Sequence, residues 1–266
     1  MDKLSVTQRI MLALFLAIVL FFILYFFFPR DEKKEPGVLR VGAGKDITGL
    51  LAECIAEEAE AENKGQHFVT SYIFVDCCSN AAQWALQAQE LDLGFYCSAA
   101  ASKMVNKVDG FVIYAPVIMN SEVIAVQPGT DVLDSVGIPR KRPFLGDLVK
   151  EQYPGVTELR EVDRTYIAYS VKLNEVDGAV IDVADAAANA EDFVFLPLTE
   201  RPYISYCLVV REDLVNTNAF QTFLEYYARA VEKLSSPEEK VRTMQMDSDF
   251  WEMAGLEFLP ITEPLG

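Results

Sequence analysis

Histidine is almost absent from the sequence, and its scarcity removes several classes of enzyme. The 266 residues contain one histidine, His67, so a Ser-His-Asp or Cys-His catalytic arrangement would have to use it. No G-x-S-x-G motif is present, and GAGK at residues 42–45 lacks the spacing of a phosphate-binding loop. A structural zinc site would want four ligands at C-x2-C type spacing, which the sequence also lacks. The sequence therefore predicts a binding protein without a resident cofactor rather than an enzyme.

Basic residues are also scarce relative to acidic ones. The chain has 23 Lys and Arg against 40 Asp and Glu, which gives a formal net charge of −17. Binding to nucleic acid requires a basic face that neutralises phosphates, so nucleic acid is excluded as an expected partner. The acidic residues are scattered along the chain, as in residues 53–62, and this distribution is typical of a solvated surface.

One segment near the N-terminus lacks charged residues altogether. Ile10 to Phe28 is a run of nineteen apolar residues, which as a helix would span roughly 28 Å of a hydrocarbon core about 30 Å thick. No small-x-small cleavage site follows it, so we expect residues 1–30 to be an uncleaved membrane anchor, with a removed signal peptide as the alternative. The expected location is the cell membrane, with the remaining chain outside the cytoplasm. Lys and Arg flank both ends and leave the orientation open.

The rest of the chain alternates short strands and helices. After a polar linker at 31–36, strands at 38–44, 68–75 and 91–96 alternate with helices at 46–63, 79–90 and from 98 onward, which favours a parallel α/β sheet. Long extended runs at 114–127 and 193–213 flank a second set of elements, and a helix at 218–234 follows. These patterns predict a first lobe at 37–118, a second lobe at 119–203 and a return to the first lobe, with C-terminal helices, at 204–266.

Two lobes joined by two crossover strands resemble the type II solute-binding proteins of ABC transporters. The resemblance is carried by VLRVGAGKDITGLLAECIAEEAE, LDLGFYCSAAASKM, NEVDGAVIDVADA and SYCLVVREDLVNTNAFQTFLEYYARAVEKL. It implies a type II periplasmic-binding-protein fold in which the lobes close on a small solute. It also implies a membrane permease as partner for the closed form.

A vicinal cysteine pair supports a narrower resemblance. FVDCCSN, together with Cys97 and the anchored N-terminus, is similar to the substrate-binding subunits of selenocysteine-assisted organometal transport systems. Some of those subunits carry selenocysteine within such a pair, whereas both positions here are cysteine. The resemblance implies an organometal or soft metal species as the ligand.

Independently of this resemblance, the positions of three cysteines indicate a soft metal ligand. Ligands of open α/β sheets bind beyond the carboxyl ends of the strands, where Cys77, Cys78 and Cys97 follow two predicted strands. Ser79 and Ser98 are expected to cap the next helices, whose free N-H groups favour thiolates. Thiolates are soft ligands and select mercury, copper(I) or arsenic(III).

Other roles for the cysteines remain open. A structural disulfide between Cys97 and Cys77 or Cys78 is one alternative, and a thiol-disulfide oxidoreductase is another. Cys54 and Cys207 are expected to fill the core.

Further candidate ligand-binding residues follow other predicted strands. If the cysteines are structural, Arg140 or Arg142 could hold an anionic organic solute, and a solvated basic loop is the other interpretation of this segment. The full set of candidates outside the cysteines and serines is Lys45, Asp46, Thr48, Arg140, Lys141, Arg142, Arg164, Tyr166, Asp182, Asp185, Tyr203 and Tyr206.

Overall fold

The computed structural model describes residues 15–16, 18–20, 38–62, 69–74 and 80–262. Contacts divide the chain into a unit at 1–36 and a unit at 37–266. Most of the predicted anchor at residues 1–30 lies outside the described residues. The parts of it that are described, 15–16 and 18–20, are helical. No helix within the described ranges is long and apolar enough to cross a membrane.

The strands of the larger unit form two sheets. In chain order they are β1 (Leu39–Gly44), β2 (Val69–Phe74), β3 (Leu93–Cys97), β4 (Phe111–Met119), β5 (Glu122–Val126), β6 (Ser135–Pro139), β7 (Glu158–Val162), β8 (Gly178–Asp182), β9 (Val194–Pro197), β10 (Ile204–Arg211) and β11 (Glu257–Phe258). The first sheet has the order β11-β4-β10-β3-β1-β2 and the second has the order β7-β6-β8-β5-β9. We call the described parts of 38–119 and 204–262 the first half, and 120–203 the second half.

Helices connect the strands. They are α1 (Ile47–Glu62), α2 (Asn80–Gln87), α3 (Ser98–Val105), α4 (Pro143–Gln152), α5 (Ile167–Lys172), α6 (Val183–Ala188), a 3-10 turn (Glu212–Leu214), α7 (Asn218–Ser235), α8 (Pro237–Met244) and α9 (Ser248–Ala254). β1 pairs in parallel with both β2 and β3, as β6 does with β7 and β8. The parallel pairing expected for the first set of elements is therefore found in β1, β2 and β3, but each sheet also contains antiparallel strands. The carboxyl ends of the parallel strands lie at one edge of each sheet.

Two crossovers join the halves, at the places where the sequence has its long extended runs. β4 belongs to the first sheet and β5 to the second, and β9 and β10 make the reverse change. Asn120, which has a φ of 53°, lies in the first crossover. Its side chain accepts a hydrogen bond from Tyr203 N (3.0 Å) in the second crossover and donates to Gly255 O (3.0 Å). The two crossovers are therefore tied together by one side chain.

The core follows the alternation of the strands. Within β5, Val123 and Ala125 belong to the larger core, which is shared with the first half, whereas Ile124 and Val126 face a smaller core on the other side of the second sheet. Burial on both faces explains why the sequence of this strand is a continuous apolar run after Glu122.

The predicted helices are found with small shifts of their ends. The helix expected at 218–234 is α7, and its Arg229 pairs with Glu62 of α1 (2.5 Å). The helix expected at 46–63 is α1, and Asp46 caps it by accepting a hydrogen bond from Thr48 N (2.9 Å).

Ser98 is not a helix cap, contrary to the prediction. Cys97 has extended backbone angles and occupies the cap position of α3, whereas Ser98 is already helical. The reason is that β3 runs into α3 without an intervening loop, so the last residue of the strand precedes the first turn directly.

The C-terminal segment contains a strand and helix bounds that the sequence analysis did not predict. β11 adds to the first sheet beside β4, whereas α9 contacts the second sheet. The rings of Phe250 in α9 and Phe195 in β9 lie 5.4 Å apart in an edge-to-face arrangement. Part of the segment assigned to the first lobe therefore contacts the second half.

Candidate functional site

The loops that follow the strands of the second sheet surround a cavity of about 330 Å³. Three successive loops, after β6, β7 and β8, provide most of its wall. Its floor is apolar and its sides carry both signs of charge. The lining residues are Glu122, Pro139, Arg140, Lys141, Arg142, Asp163, Arg164, Thr165, Ile167, Val180, Ile181, Asp182 and Asp185.

Charged side chains join the first half to the second half beside this cavity. Arg164 of the second half donates to the Oδ2 atom of Asp46 in the first half (2.8 Å), and its other nitrogen donates to Lys45 O (3.1 Å). In the opposite sense, Asp182 of the second half accepts a hydrogen bond from Ile47 N at the start of α1 (3.0 Å). The same Oδ1 atom accepts from Ala184 N (2.9 Å), so Asp182 caps two helices.

Tyr206, on β10, lies at the centre of these contacts and is fully buried. Its hydroxyl oxygen accepts a hydrogen bond from Arg142 Nη2 (2.8 Å). The same oxygen lies 3.0 Å from Asp46 Oδ2 and 3.5 Å from Asp182 Oδ2. The Arg142 guanidinium carbon also lies 5.1 Å from the centre of the tyrosine ring. One residue of the first half thus contacts three charged residues.

Glu122 forms a second centre, at the crossovers. It is 2% exposed and pairs with the Arg142 guanidinium. Its Oε2 atom accepts hydrogen bonds from Tyr203 (2.7 Å) and Ser205 (3.1 Å). Glu122 belongs to one crossover, and the two hydroxyl donors belong to the other, so this carboxylate holds both strands and positions Arg142.

Burial and neighbouring charges shift the pKa values of the carboxyl groups in opposite directions. Burial alone would raise the pKa of Asp46, but the Arg164 charge and the Thr48 hydrogen bond hold that pKa below its ordinary value. Burial and then the Asp46 charge raise the pKa of Asp182 well above the ordinary value, against the effect of Arg164. Burial also raises the pKa of Asp185, which accepts from Arg164 (3.2 Å).

Six of the predicted candidate residues meet in this arrangement, which we call the interface cluster. It consists of Asp46, Glu122, Arg142, Arg164, Asp182, Tyr203 and Tyr206, with Asp185 at its edge. The predicted members are Asp46, Arg142, Arg164, Asp182, Tyr203 and Tyr206. Lys45, which was also predicted, contributes its carbonyl oxygen as the acceptor of a hydrogen bond from Arg164.

The other predicted residues lie outside the cluster. Arg140 is exposed at the cavity wall, and Thr48 is buried with its hydroxyl accepting from Gly44 N (2.8 Å). Ser98 borders a separate open groove of about 550 Å³ together with Phe144 and Tyr203. Tyr166 is 39% exposed and donates to Glu175 (2.9 Å), away from the cluster.

The cysteines are described only in part. Cys77, Cys78 and Ser79 lie outside the described residues. Cys97 is fully buried at the end of β3 and is paired in register with Tyr206 of β10. Cys54 and Cys207 are buried as expected, and burial raises the pKa of the Cys207 thiol to about 11. Within the described ranges, no group of three or more His, Cys, Asp and Glu is placed to hold a metal ion.

Sequence reasoning missed Glu122 and Ser205. Glu122 is the one acidic residue in the apolar run APVIMNSEVIAV at residues 115–126. An acidic side chain at such a position must be paired when buried, and this signal could have identified it. Ser205 has no comparable signal, since serine occurs in strands and turns alike.

Comparison with known proteins gives matches to structures but not to sequences. No family model and no curated protein matches the chain. A ligand-binding component of an ABC-type import system from Staphylococcus aureus, with zinc bound, superposes with a TM-score of 0.62 at 14% identity, covering 83% of this chain and 84% of that one. The fold is that of the ligand-binding proteins of ABC transporters.

Two further solved structures share the fold of these solute-binding proteins. The methionine-binding protein MetQ has a TM-score of 0.60 at 15% identity, covering 85% of this chain and 99% of that one. The alkanesulfonate-binding protein SsuA from Xanthomonas axonopodis pv. citri, bound to MOPS, has a TM-score of 0.59 at 14% identity, covering 85% and 86%. The recognised type II fold is thus confirmed at the level of architecture.

Proposed function

We propose that this chain is the solute-binding protein of an ABC transporter and holds a small solute between its two halves. The observation that carries the proposal is the cavity at the strand ends of the second sheet, adjoining the contacts of Asp46 and Ile47 with Arg164 and Asp182. A binding site at a joint between two halves can close on a ligand by a hinge motion. The paired crossovers, tied by Asn120 and Glu122, are the hinge.

The cellular setting is part of the same proposal. Residues 1–30 anchor the chain in the cell membrane, and the binding region lies outside the cytoplasm, with lobes at 37–118 plus 204–266 and at 119–203. A permease receives the solute from the closed form. The chain binds rather than transforms its solute, and nucleic acid is not a partner.

The existing ion pairs constrain how an anionic solute could bind. Arg142 and Arg164 are already paired with Glu122 and Asp46, so an anion would have to displace an internal carboxylate. The guanidinium of Arg140, by contrast, makes no hydrogen bond or ion pair with the described residues and lies at the cavity wall. Arg140 is therefore the residue that would meet an anionic group first.

Thermal unfolding of the purified full chain with defined probes tests solute binding. The panel is L-methionine, MOPS, zinc chloride and methylmercury chloride, together with the other common amino acids. A ligand at about 100 times its Kd stabilises the folded state by about 2.7 kcal/mol, which should raise the Tm by roughly 5 to 10 °C. We expect Thr165→Trp, which fills the cavity, to abolish the shift.

A matched control separates filling of the cavity from a general effect of tryptophan. Thr157 is exposed on the second half and does not line the cavity. Thr157→Trp should therefore keep the full shift. An unmoved Tm with every probe, or an equal shift in Thr165→Trp, contradicts the proposal.

An organometal or soft metal species is the more specific candidate solute. The observation that favours it is the register of Cys97 with Tyr206, since directly opposed residues of antiparallel strands have Cβ atoms about 5 Å apart on one face. A thiol at that position lies next to the interface cluster. Cys77 and Cys78 would complete the proposed ligand set of three cysteines.

Titration with methylmercury chloride, read out by calorimetry, tests this candidate. Cys77→Ser, Cys78→Ser and Cys97→Ser should each weaken binding at least tenfold, because each removes one soft ligand. Cys207→Ala is the control and should keep the affinity, since its buried thiol holds its proton. Equal affinity of all four variants for methylmercury would contradict the soft-metal candidate, while the general solute-binding proposal would stand. Turnover of a disulfide substrate would instead favour the thiol-disulfide oxidoreductase.

A further inference from the structure

The interface cluster holds more buried carboxylates than guanidinium groups. Asp46, Glu122 and Asp182 are each at most 4% exposed, and two arginines are available to neutralise them. Arg142 pairs with Glu122, and Arg164 pairs with Asp46. Within the described residues, Asp182 has no ion pair. A buried carboxylate without a cation is costly unless it takes up a proton.

The hydrogen bonds around Tyr206 also indicate that Asp182 carries a proton. The tyrosine hydroxyl has one proton to donate, but two carboxylate oxygens approach its oxygen, at 3.0 Å from Asp46 and 3.5 Å from Asp182. If the proton goes to Asp46, the contact with Asp182 lacks a hydrogen. A proton on Asp182 Oδ2 would donate to the tyrosine oxygen and complete both contacts, while Oδ1 keeps its two backbone donors.

We propose that joining of the two halves takes up one proton, which Asp182 holds, so that the closed form is favoured as the pH falls and opens as it rises. The proposal depends on the proposed function for the hinge motion, but it requires no ligand.

The surroundings of Asp182 support this direction of titration. Negative neighbours outnumber positive ones, and opening would expose Asp182 to water and separate it from the first half. The titratable and charged groups that face it, from each of the elements around it, are Asp46 after β1, Glu122 on β5, Arg142 before α4, Arg164 after β7, Asp185 on α6 and Tyr206 on β10.

The sign of the effect follows from linkage. A carboxyl group with a raised pKa in the closed form binds more protons there than in the open form, so closure is lost as the pH rises through the closed-form pKa. Asp46 has a lowered pKa in the closed form and acts oppositely, weakening closure in acid below about pH 4. Closure should therefore be most favourable near the ordinary carboxyl pKa, at about pH 4, and should weaken on either side.

The distance between the halves provides the test. Spin labels are attached to non-canonical amino acids at Glu53 in α1 and Glu191 in the second half, both of which are exposed. We expect the open population of the ligand-free full chain to rise with pH by up to about tenfold per unit. Asp182→Asn carries an amide that mimics the protonated acid, and it should stay closed as the pH rises. Asp192→Asn, at an exposed carboxylate paired with Lys172, is the matched control and should behave as the wild type.

Infrared spectroscopy gives a second measurement that needs no labels. Under conditions in which the labels report the closed form, the wild type should show the carbonyl band of a protonated carboxyl group, and Asp182→Asn should lack it. A distance that does not change with pH, or the same pH dependence in Asp182→Asn as in the wild type, overturns the proposal. These outcomes are separate from ligand binding, because the thermal unfolding panel can succeed or fail at one fixed pH.

Discussion

Two networks of carboxylates and arginines occupy opposite ends of β1 and β10, and they differ in what they join. At one end, Asp92 accepts hydrogen bonds from Arg40 (2.9 and 3.0 Å) and Arg211 (2.7 Å). These three residues, which we call the sheet triad, belong to neighbouring parts of one sheet. At the other end, the interface cluster joins the first sheet to the second.

The charge balance of the two networks is opposite. The sheet triad has two guanidinium groups for one carboxylate, whereas the cluster has three buried carboxylates for two guanidinium groups. Arg211 also pairs with the exposed Asp213 outside the triad, and the triad arginines are 16% and 19% exposed, so their positive charge is compensated by this partner and by water. Asp182 is 4% exposed and has no such solvation in the closed form. The triad therefore ties parts of one sheet, whereas the cluster lies at the contacts that the proposed hinge motion would break.

Asp92→Asn should have the largest effect on stability. It removes a buried carboxylate that accepts charge-assisted hydrogen bonds from Arg40 and Arg211, which should lower the free energy of unfolding by about 3 kcal/mol. Urea denaturation of the full chain measures this. Asp213→Asn, which removes an exposed partner of the same Arg211, is the control and should change stability by less than about 0.5 kcal/mol. Equal losses of stability in the two variants would contradict the stabilising role of Asp92 in the sheet triad.

The triad also has its own pH dependence, opposite in sign to that of Asp182. Burial alone would raise the pKa of Asp92, but hydrogen bonds from Arg40 and the two arginine charges hold it below the ordinary value. Its contribution is present above the unfolded pKa of about 3.9 and is lost as the pH falls through the lower folded value. The acid side of a plot of Tm against pH should therefore be flatter in Asp92→Asn than in the wild type.

Arg164→Ala should affect the joint between the halves more than overall stability. It removes the bonds to Asp46, Asp185 and the Lys45 carbonyl, but Asp46 can regain water when the halves separate. We expect a loss of about 1 to 2 kcal/mol in urea, below that of Asp92→Asn. The label distance between Glu53 and Glu191 should shift to the open value. An unchanged distance would contradict the assignment of Arg164 as an interface contact.

Tyr206→Phe should have the smallest effect of the three. It removes one hydroxyl and keeps the ring beside Arg142, so the expected loss is about 1 kcal/mol. Because Asp182 loses its acceptor, the pH at which the halves open should fall. Tyr227→Phe removes a hydroxyl that donates to Leu259 O (2.5 Å) in the first half and should leave the opening pH unchanged. A lower opening pH in Tyr206→Phe but not in Tyr227→Phe would show that opening depends on the hydroxyl at the interface and not on buried tyrosine hydroxyls in general.

Much of the fold was predictable because its signals are local. The alternation of strands and helices, the interrupted runs at 114–127 and 193–213 and the amphipathic helix α7 all depend on nearby residues. C-terminal helices were expected, but the bounds of α8 and α9 and the strand β11 were not predicted, since each is short and α9 is held by contacts such as Phe250 with Phe195, which is distant in sequence.

The candidate site was predictable in location but not in pairing. The strand-end rule placed Asp46, Arg142 and Arg164 near one another because parallel strands end at one edge. The rule carries no information on which carboxylate meets which guanidinium. Glu122, which neutralises Arg142, lies on β5 at the crossover and not in a strand-end loop of the parallel strands, so the rule does not include it.

Each charged residue that bridges the halves also has a partner on its own side. Asp182 retains the Ala184 amide of its own helix if the Ile47 amide withdraws, and Asp46 retains Thr48 if Arg164 withdraws. Each of these groups therefore keeps a hydrogen-bond partner when the halves separate. Because each side keeps partners of its own, joining the halves exchanges hydrogen bonds rather than creating them all anew. In the proposed binding cycle, a solute that contacts both halves would therefore shift the balance toward the joined form.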